Sequence, residues 1–359
     1  MNAYVPATDP LPLPAPAALL TALLHLTFVL HLLFMNGLLG GAVVALAARL
    51  SRRAPEDLYD RTLTRVSKLL PTLFAGTVTF GVAPLLFMQV LYGRFFYTSS
   101  IVMGGPWFAL IPLLICAYYG TYLNAFRGER LGRWRVAIVG LTAAALAWVG
   151  FMFTNNTGLM LTPDRWAGLY FAAPGGSSLN LGDATIWPRY LHMLLGAVAV
   201  AGILLALLAR TVKDDRELAV HLAGRGVALF LGATIVNLLA GFWLLVALRE
   251  DVMMTFMGGT PLGTALLTIG LLLTLLLLWL GFRARGRPVG TPLVVAAAAQ
   301  LVVMVLMRHE VRRAYLADVH APADLAVATQ GLNMAIFAAL LVGGLATVAW
   351  MLRRLFGGR

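Results

Sequence analysis

Nine apolar stretches, each long enough to cross a lipid bilayer, recur along this chain and leave few ways to fold it. They lie at about 17–47, 69–92, 105–126, 135–154, 185–209, 222–247, 260–282, 291–309 and 329–352. A hydrocarbon core of about 30 Å takes roughly 20 apolar residues as a helix. Lipid offers no partner to backbone N–H and C=O groups, so each stretch must satisfy its own, as a helix does. The alternation of a barrel strand is absent. Only 12% of the 359 residues are charged while 60% are hydrophobic, against roughly 25% charged in an ordinary soluble domain. The expected fold is an all-α integral membrane protein of about nine transmembrane helices, forming one domain over 1–359.

The net charge of +12 follows the same division. Of 27 Lys and Arg, 20 fall after the first, third, fifth and seventh stretches or at the C-terminus. They are Arg49, Arg52, Arg53, Arg61, Arg65, Lys68, Arg127, Arg130, Arg133, Arg135, Arg210, Lys213, Arg216, Arg225, Arg283, Arg285, Arg287, Arg353, Arg354 and Arg359. The other seven are Arg94, Arg165, Arg189, Arg249, Arg308, Arg312 and Arg313. The positive-inside rule then predicts an outer N-terminus and a cytoplasmic C-terminus. The basic character reads as topology, in a multi-pass protein of the bacterial inner membrane, with lipid and no nucleic acid as its surroundings. Met1 to Pro16 carry no Lys or Arg, so the segment lacks the basic start of a signal peptide and is expected to stay on the chain. The longest outer loop is expected at about 155–183, around Pro174-Gly175-Gly176-Ser177-Ser178. The single cysteine, Cys116, excludes a disulfide framework, a Cys-based zinc site and a c-type haem attachment.

Ionisable side chains at membrane depth are costly and mark function. His25 and His31 lie in the first stretch, His192 in the fifth, and His309 and Glu310 at the outer end of the eighth. His221 and His320 fall at helix ends or in loops. His25, His192 and Glu310 share one depth near the outer surface. A b-type haem fits such a set, since only axial side chains between apolar helices hold it. Small residues that make room are present at Gly37, Gly40, Gly41, Gly76, Gly81 and Gly196. Two other readings explain the same residues: a proton-coupled transporter without haem, or histidines that merely bond helix to helix. Trp107, Trp166, Trp187, Tyr92 and Tyr97 read as an interfacial aromatic belt. Met253, Met254 and Met257 cluster at the same depth and read as packing.

At these positions the sequence resembles the large subunit of cytochrome bd quinol oxidases. Leu20-Thr21-Ala22 with His25, Phe28 and Val29 is similar to that family's first helix, whose histidine binds a haem of the active-site pair. Phe80-Gly81-Val82-Ala83 with Met88-Gln89, Met103-Gly104-Gly105-Pro106 and Asn155-Asn156-Thr157-Gly158 resemble its later motifs. Tyr190-Leu191-His192 resembles the segment carrying the histidine of the low-spin haem b, and Arg308-His309-Glu310-Val311-Arg312-Arg313 resembles its E-x-G-R segment. The resemblance covers nearly the whole chain. It implies haem b, two or more copies, with haem d left open. It gives Glu310 an iron-ligand role and Arg313 the arginine role near the haem pair. Arg189 and Arg313 are then candidates to pair with propionates, Met257 is the nearest candidate for the second ligand of the His192 haem, and His309 and His31 are extra ligands or polar helix contacts.

The departures shape the functional expectation. Two helix-3 glutamates of the family fall at Leu110 and Tyr118, which cannot relay a proton as a carboxylate does. The family's long quinol-binding loop shrinks to about 249–258, so the usual quinol site is missing. The expectation is a bd-like membrane cytochrome b that transfers electrons near the outer face, as an oxidoreductase or electron-transfer subunit of a respiratory complex. Its partner would be a cytochrome c or a second membrane subunit. The alternatives are a terminal oxidase with an altered proton path, or the haem-free transporter.

Overall fold

The computed structural model describes residues 11–54, 57–173, 175–286 and 288–356. Met1 to Pro10, Pro174, Arg287 and Arg359 lie outside the described residues. The chain forms α1 (Ala17–Ser51), α2 (Leu58–Val102), α3 (Gly104–Phe108), α4 (Leu110–Arg127), α5 (Arg135–Leu161), α6 (Trp166–Ala172), α7 (Ile186–Leu208), α8 (Arg216–Ala247), α9 (Glu250–Met254), α10 (Pro261–Arg283), α11 (Thr291–Leu316) and α12 (Gly331–Phe356). Among the described residues, the one strand-like pairing is an isolated bridge between Leu13 and Val327, which ties the segment before α1 to the segment before α12. The protein is an all-α integral membrane protein.

Eight continuous helical segments of the described residues are long and apolar enough to cross a membrane. The third, Gly104–Leu161, holds two of the nine expected crossings. It reverses around Gly132, whose φ of 50° and ψ of −124° suit glycine, and its arms α4 and α5 pack against each other. The helices match their apolar stretches to within two residues or outrun them, except α4, which begins at Leu110 after the short α3. The largest excess is in α2, 45 residues long, whose first turns precede residue 69 and carry Asp60, Arg61, Arg65 and Lys68. At about 1.5 Å per residue it exceeds the bilayer by a wide margin. It breaks at Tyr92, where φ is −135° and ψ 30°. The expected 155–183 loop is partly helical. The chain stays in α5 to Leu161 and turns again as α6, so irregular backbone begins only at Ala173.

The first helix is the hub, packed on α2, α5, α7 and α11. It approaches α7 closely because Gly40 leaves room: a Cβ there would lie 2.1 Å from the Ala197 carbonyl oxygen. The helices α7 and α8 meet in the same way through Gly202 and Gly226, each of whose missing Cβ atoms would fall 2.6 Å from the other helix's backbone. Small residues of this kind let membrane helices gain dispersion contacts, which hold a bundle where lipid removes the hydrophobic drive. The described core divides into clusters at the two ends of the bundle and one between α7, α8, α10 and α11. We call the end where α1 begins the histidine end and the opposite one the basic end.

Candidate functional site

Helix geometry brings three histidines to one depth. His25 follows the start of α1 by two turns, His192 follows the start of α7 by under two, and His309 precedes the end of α11 by two. Those spacings put each about 9–12 Å along its helix from the histidine end. His25 and His309 touch, with ring centroids 4.6 Å apart and planes at 75°. His25 Nε2 and His309 Nδ1 are both buried without a hydrogen-bond partner. Glu310, 4% exposed, lies within electrostatic range of His25 and accepts two hydrogen bonds from the Arg313 guanidinium, at 2.7 and 3.0 Å.

His192 is fixed differently. Its Nδ1 lies 3.2 Å from the Asn237 carbonyl oxygen of α8. A carbonyl only accepts, so Nδ1 carries the proton and Nε2 keeps its lone pair. Gly241 makes the room for this ring, since a Cβ there would stand 3.1 Å from the imidazole. His31 is held in the same manner by Thr77 of α2, at 3.0 Å, over the space left by Gly81. His320 lies beyond α11, and His221 faces Tyr59 at the basic end.

Three arginines in this region have no carboxylate on them. Arg312, 7% exposed, packs over the Tyr92 ring and points NH1 at Met88 Sδ, 3.2 Å away. Arg308 packs over Phe28 and donates to Thr157 Oγ1 at 3.0 Å. Arg189 reaches Thr185 Oγ1 at 3.2 Å and keeps a buried Nε without partner. Among the described residues, none of the three forms an ion pair within 4 Å. Arg189 and His192 are half-buried, whereas Arg308 is exposed. Asn237 Oδ1 and Gln300 Oε1 are further buried polar atoms without partners.

The sequence reading singled out Arg189 and Arg313 but not Arg308 or Arg312. Its candidates do not all converge. Met257 stands on the π-type turn Thr255–Gly259, 54% exposed at the rim. Beside it, Arg249 donates to Asp251 at 2.5 and 2.6 Å and holds that carboxyl below its ordinary range. Leu110 is buried. Tyr118 donates its hydroxyl to Tyr122 and packs on Phe74. Among the described residues, no three His, Cys, Asp or Glu side chains group closely enough to cage a metal ion by themselves. A haem asks less of the protein: its ring supplies four donors, leaving one or two axial positions. The single imidazoles with unpartnered nitrogens and the guanidiniums without a carboxylate fit that group.

The Asn155-Asn156-Thr157-Gly158 segment closes the site. Asn155 Oδ1 accepts from the Asn180 backbone N–H at 3.1 Å, and Asn156 donates to Ser100 at 3.1 Å. The segment 175–185 is thereby fastened over α2 and α5, with Gly105 N–H donating to the Gly176 carbonyl at 2.8 Å.

No family model matches this sequence, and no curated protein does. Among solved structures, the chain is similar to the bd oxidase from Geobacillus thermodenitrificans, with a TM-score of 0.72 and 12% identity over 96% of this chain and 99% of that one. At that identity the likeness is one of fold, and it is the fold toward which the motifs of α1, α7 and α11 pointed.

Proposed function

We propose that this chain is a haem-binding membrane cytochrome b with the bd oxidase fold, passing electrons near the outer membrane face as one subunit of a bacterial respiratory complex. The observation that carries the reading is the set Arg189, Arg308 and Arg312. Unpaired cations inside an apolar bundle are strongly destabilising. They stand at the depth of imidazoles whose nitrogens also lack partners. A haem answers both needs, bringing iron to imidazole and propionates to guanidinium.

In this reading His25 holds one haem, at the Glu310 side, and His192 holds a low-spin haem b. The Asn237 carbonyl fixes the His192 tautomer and makes Nε2 the ligating atom. Glu310 accepts both Arg313 hydrogen bonds on Oε2, so Oε1 is the atom that would be offered to iron. Met257, more than half exposed on its turn, is not assigned an iron. Bound haem supplies one-electron chemistry at a potential set by axial ligand and surrounding polarity. The protein's part is to seat the rings, neutralise the propionates and keep water out.

The basic end faces the cytoplasm by the positive-inside rule, which places the site under the outer surface. That rim exposes Asp164, Glu250, Asp251, Asp318 and Asp324. Acidic side chains there suit a basic cytochrome c as electron partner, through steering rather than burial. A second membrane subunit is the other expected neighbour. The short connection from α8 to α10 leaves no quinol loop.

The test is a visible spectrum and pyridine-haemochrome assay of the protein purified from its native membrane. A Soret band lost in part by His192→Ala is expected. A colourless protein would leave the transporter reading in its place. Rapid oxygen uptake with an artificial reductant, abolished by His25→Ala, would instead make it a terminal oxidase.

A further inference from the structure

The basic end contains a second polar cluster that electron transfer does not use. Arg49 and Arg52 close α1, Asp60 lies in the first turn of α2, and Arg135 opens α5. Arg135 is 7% exposed and is held from two sides: Nε donates to Asn124 Oδ1 at 2.9 Å, and the guanidinium lies over Gly128, where a Cβ would stand 2.9 Å from it. Asn124 in turn donates to Ser67 at 2.6 Å, and both are buried. Arg52 and Arg135 share one carboxylate, Asp60, at 2.9 and 3.7 Å. Arg49 lies within electrostatic range of Arg135, and its buried Nε has no acceptor. Glu129, also in range of Arg135, is exposed.

Two neighbours set the depth of this cluster. Leu50 is 67% and Trp134 62% exposed, and Arg133 packs over the Trp134 ring. An exposed Trp under an Arg marks the boundary between hydrocarbon and headgroups. Among the described residues, the surrounding end carries 18 basic residues against six acidic ones, Asp57, Asp60, Glu129, Asp214, Asp215 and Glu217. A buried N–H donor on a cation, at headgroup level and in excess positive charge, calls for an anionic oxygen.

We propose that Arg49, with Arg52 and the braced Arg135, binds the phosphodiester of an anionic phospholipid of the inner leaflet. Arg135 is oriented by Asn124 before any lipid arrives, so little freedom is lost on binding. Asp60 bridges Arg52 and Arg135, while Arg49 keeps a buried Nε without an acceptor. The site is independent of the haem reading.

Native mass spectrometry of the detergent-solubilised protein tests it, with phosphatidylglycerol, phosphatidylcholine and inorganic phosphate as probes. Phosphatidylglycerol adducts should persist where phosphatidylcholine adducts are stripped. Arg49→Gln should cut phosphatidylglycerol retention about tenfold, the scale of one charge-assisted hydrogen bond. Lys68→Gln, an exposed charge at the same end, should leave it unchanged. Equal retention of the two lipids, or no change in Arg49→Gln, overturns the proposal. So does displacement of the lipid by millimolar inorganic phosphate, which would make this a free-phosphate site.

Discussion

His25 of α1 and His309 of α11 meet edge to face, their ring centroids 4.6 Å apart. An axial ligand aims a ring nitrogen at iron, and that contact leaves no space for a porphyrin between the two rings. In the proposed reading, one of the pair would ligate and the other would flank it. Because His25 stands where the resembled family carries its haem-binding histidine, we expect His25→Ala to lower the haem count measured as pyridine haemochrome. His309→Ala should keep the count and shift the Soret maximum. The same count in His25→Ala as in the native protein would remove this residue from the iron.

The uncompensated arginines make a second prediction. If propionates neutralise them, Arg308→Gln and Arg312→Gln should each weaken haem retention by about 2 kcal/mol, roughly thirtyfold, the scale of a hydrogen bond to a charged group. Arg313→Gln should act differently, because Arg313 already has Glu310 as its partner. Its loss frees a carboxylate beside His25 and should change the spectrum with little loss of haem. Haem titration into stripped protein, followed optically, separates the two behaviours. Retention untouched in both Arg308→Gln and Arg312→Gln would contradict the proposed pairing.

The arginines also show where the sequence was legible and where it was not. Lipid forces each crossing to be a helix, so hydropathy located every one of them, and only their polar ends escaped it, as at Asp60 to Lys68 of α2. The reversal at Gly132 lay between two apolar stretches and was equally visible. His25 and His192 stood out because an imidazole at membrane depth is rare. Arg308 and Arg312 did not, because a boundary arginine can point to water or inward, and composition does not tell which. Their spacing held a signal: four residues apart they share a helix face, while Glu310 and Arg313 pair three apart on another. The hydrogen bond from His192 to the Asn237 carbonyl had no sequence signature at all, since any residue carries a carbonyl.

Packing of α7 on α8 gives a third prediction. Gly202 and Gly226 each lie where a Cβ would come within 2.6 Å of facing backbone. Backbone cannot swing aside as a side chain can, so Gly202→Ala must push the helices apart. Overpacking of this kind costs about 1–3 kcal/mol. The thermal midpoint in mild detergent should fall clearly for Gly202→Ala. Gly343→Ala on α12, where nothing lies within 4 Å, should be neutral by comparison. A midpoint for Gly202→Ala equal to that of Gly343→Ala would show that the two helices do not approach as described.

The last prediction concerns pH. The α2 break at Tyr92 is accompanied by a hydrogen bond from His320 Nε2 to the Leu91 carbonyl at 2.8 Å, with the ring packed against Tyr92 and Phe95. Burial lowers the affinity of this imidazole for a second proton below the ordinary 6.5, and Arg94 lowers it further, while the Leu91 bond and Asp324 oppose them. The unfolded chain thus takes up a proton near 6.5 that the folded chain refuses until lower pH. The contribution is complete above 6.5 and is lost as pH falls through the window below it. His320→Gln keeps an N–H donor for Leu91 and removes the titration. Thermal midpoints measured from about pH 7 down to pH 5 should therefore fall less steeply in His320→Gln than in the native protein. Parallel slopes in the two proteins would place the acid sensitivity elsewhere.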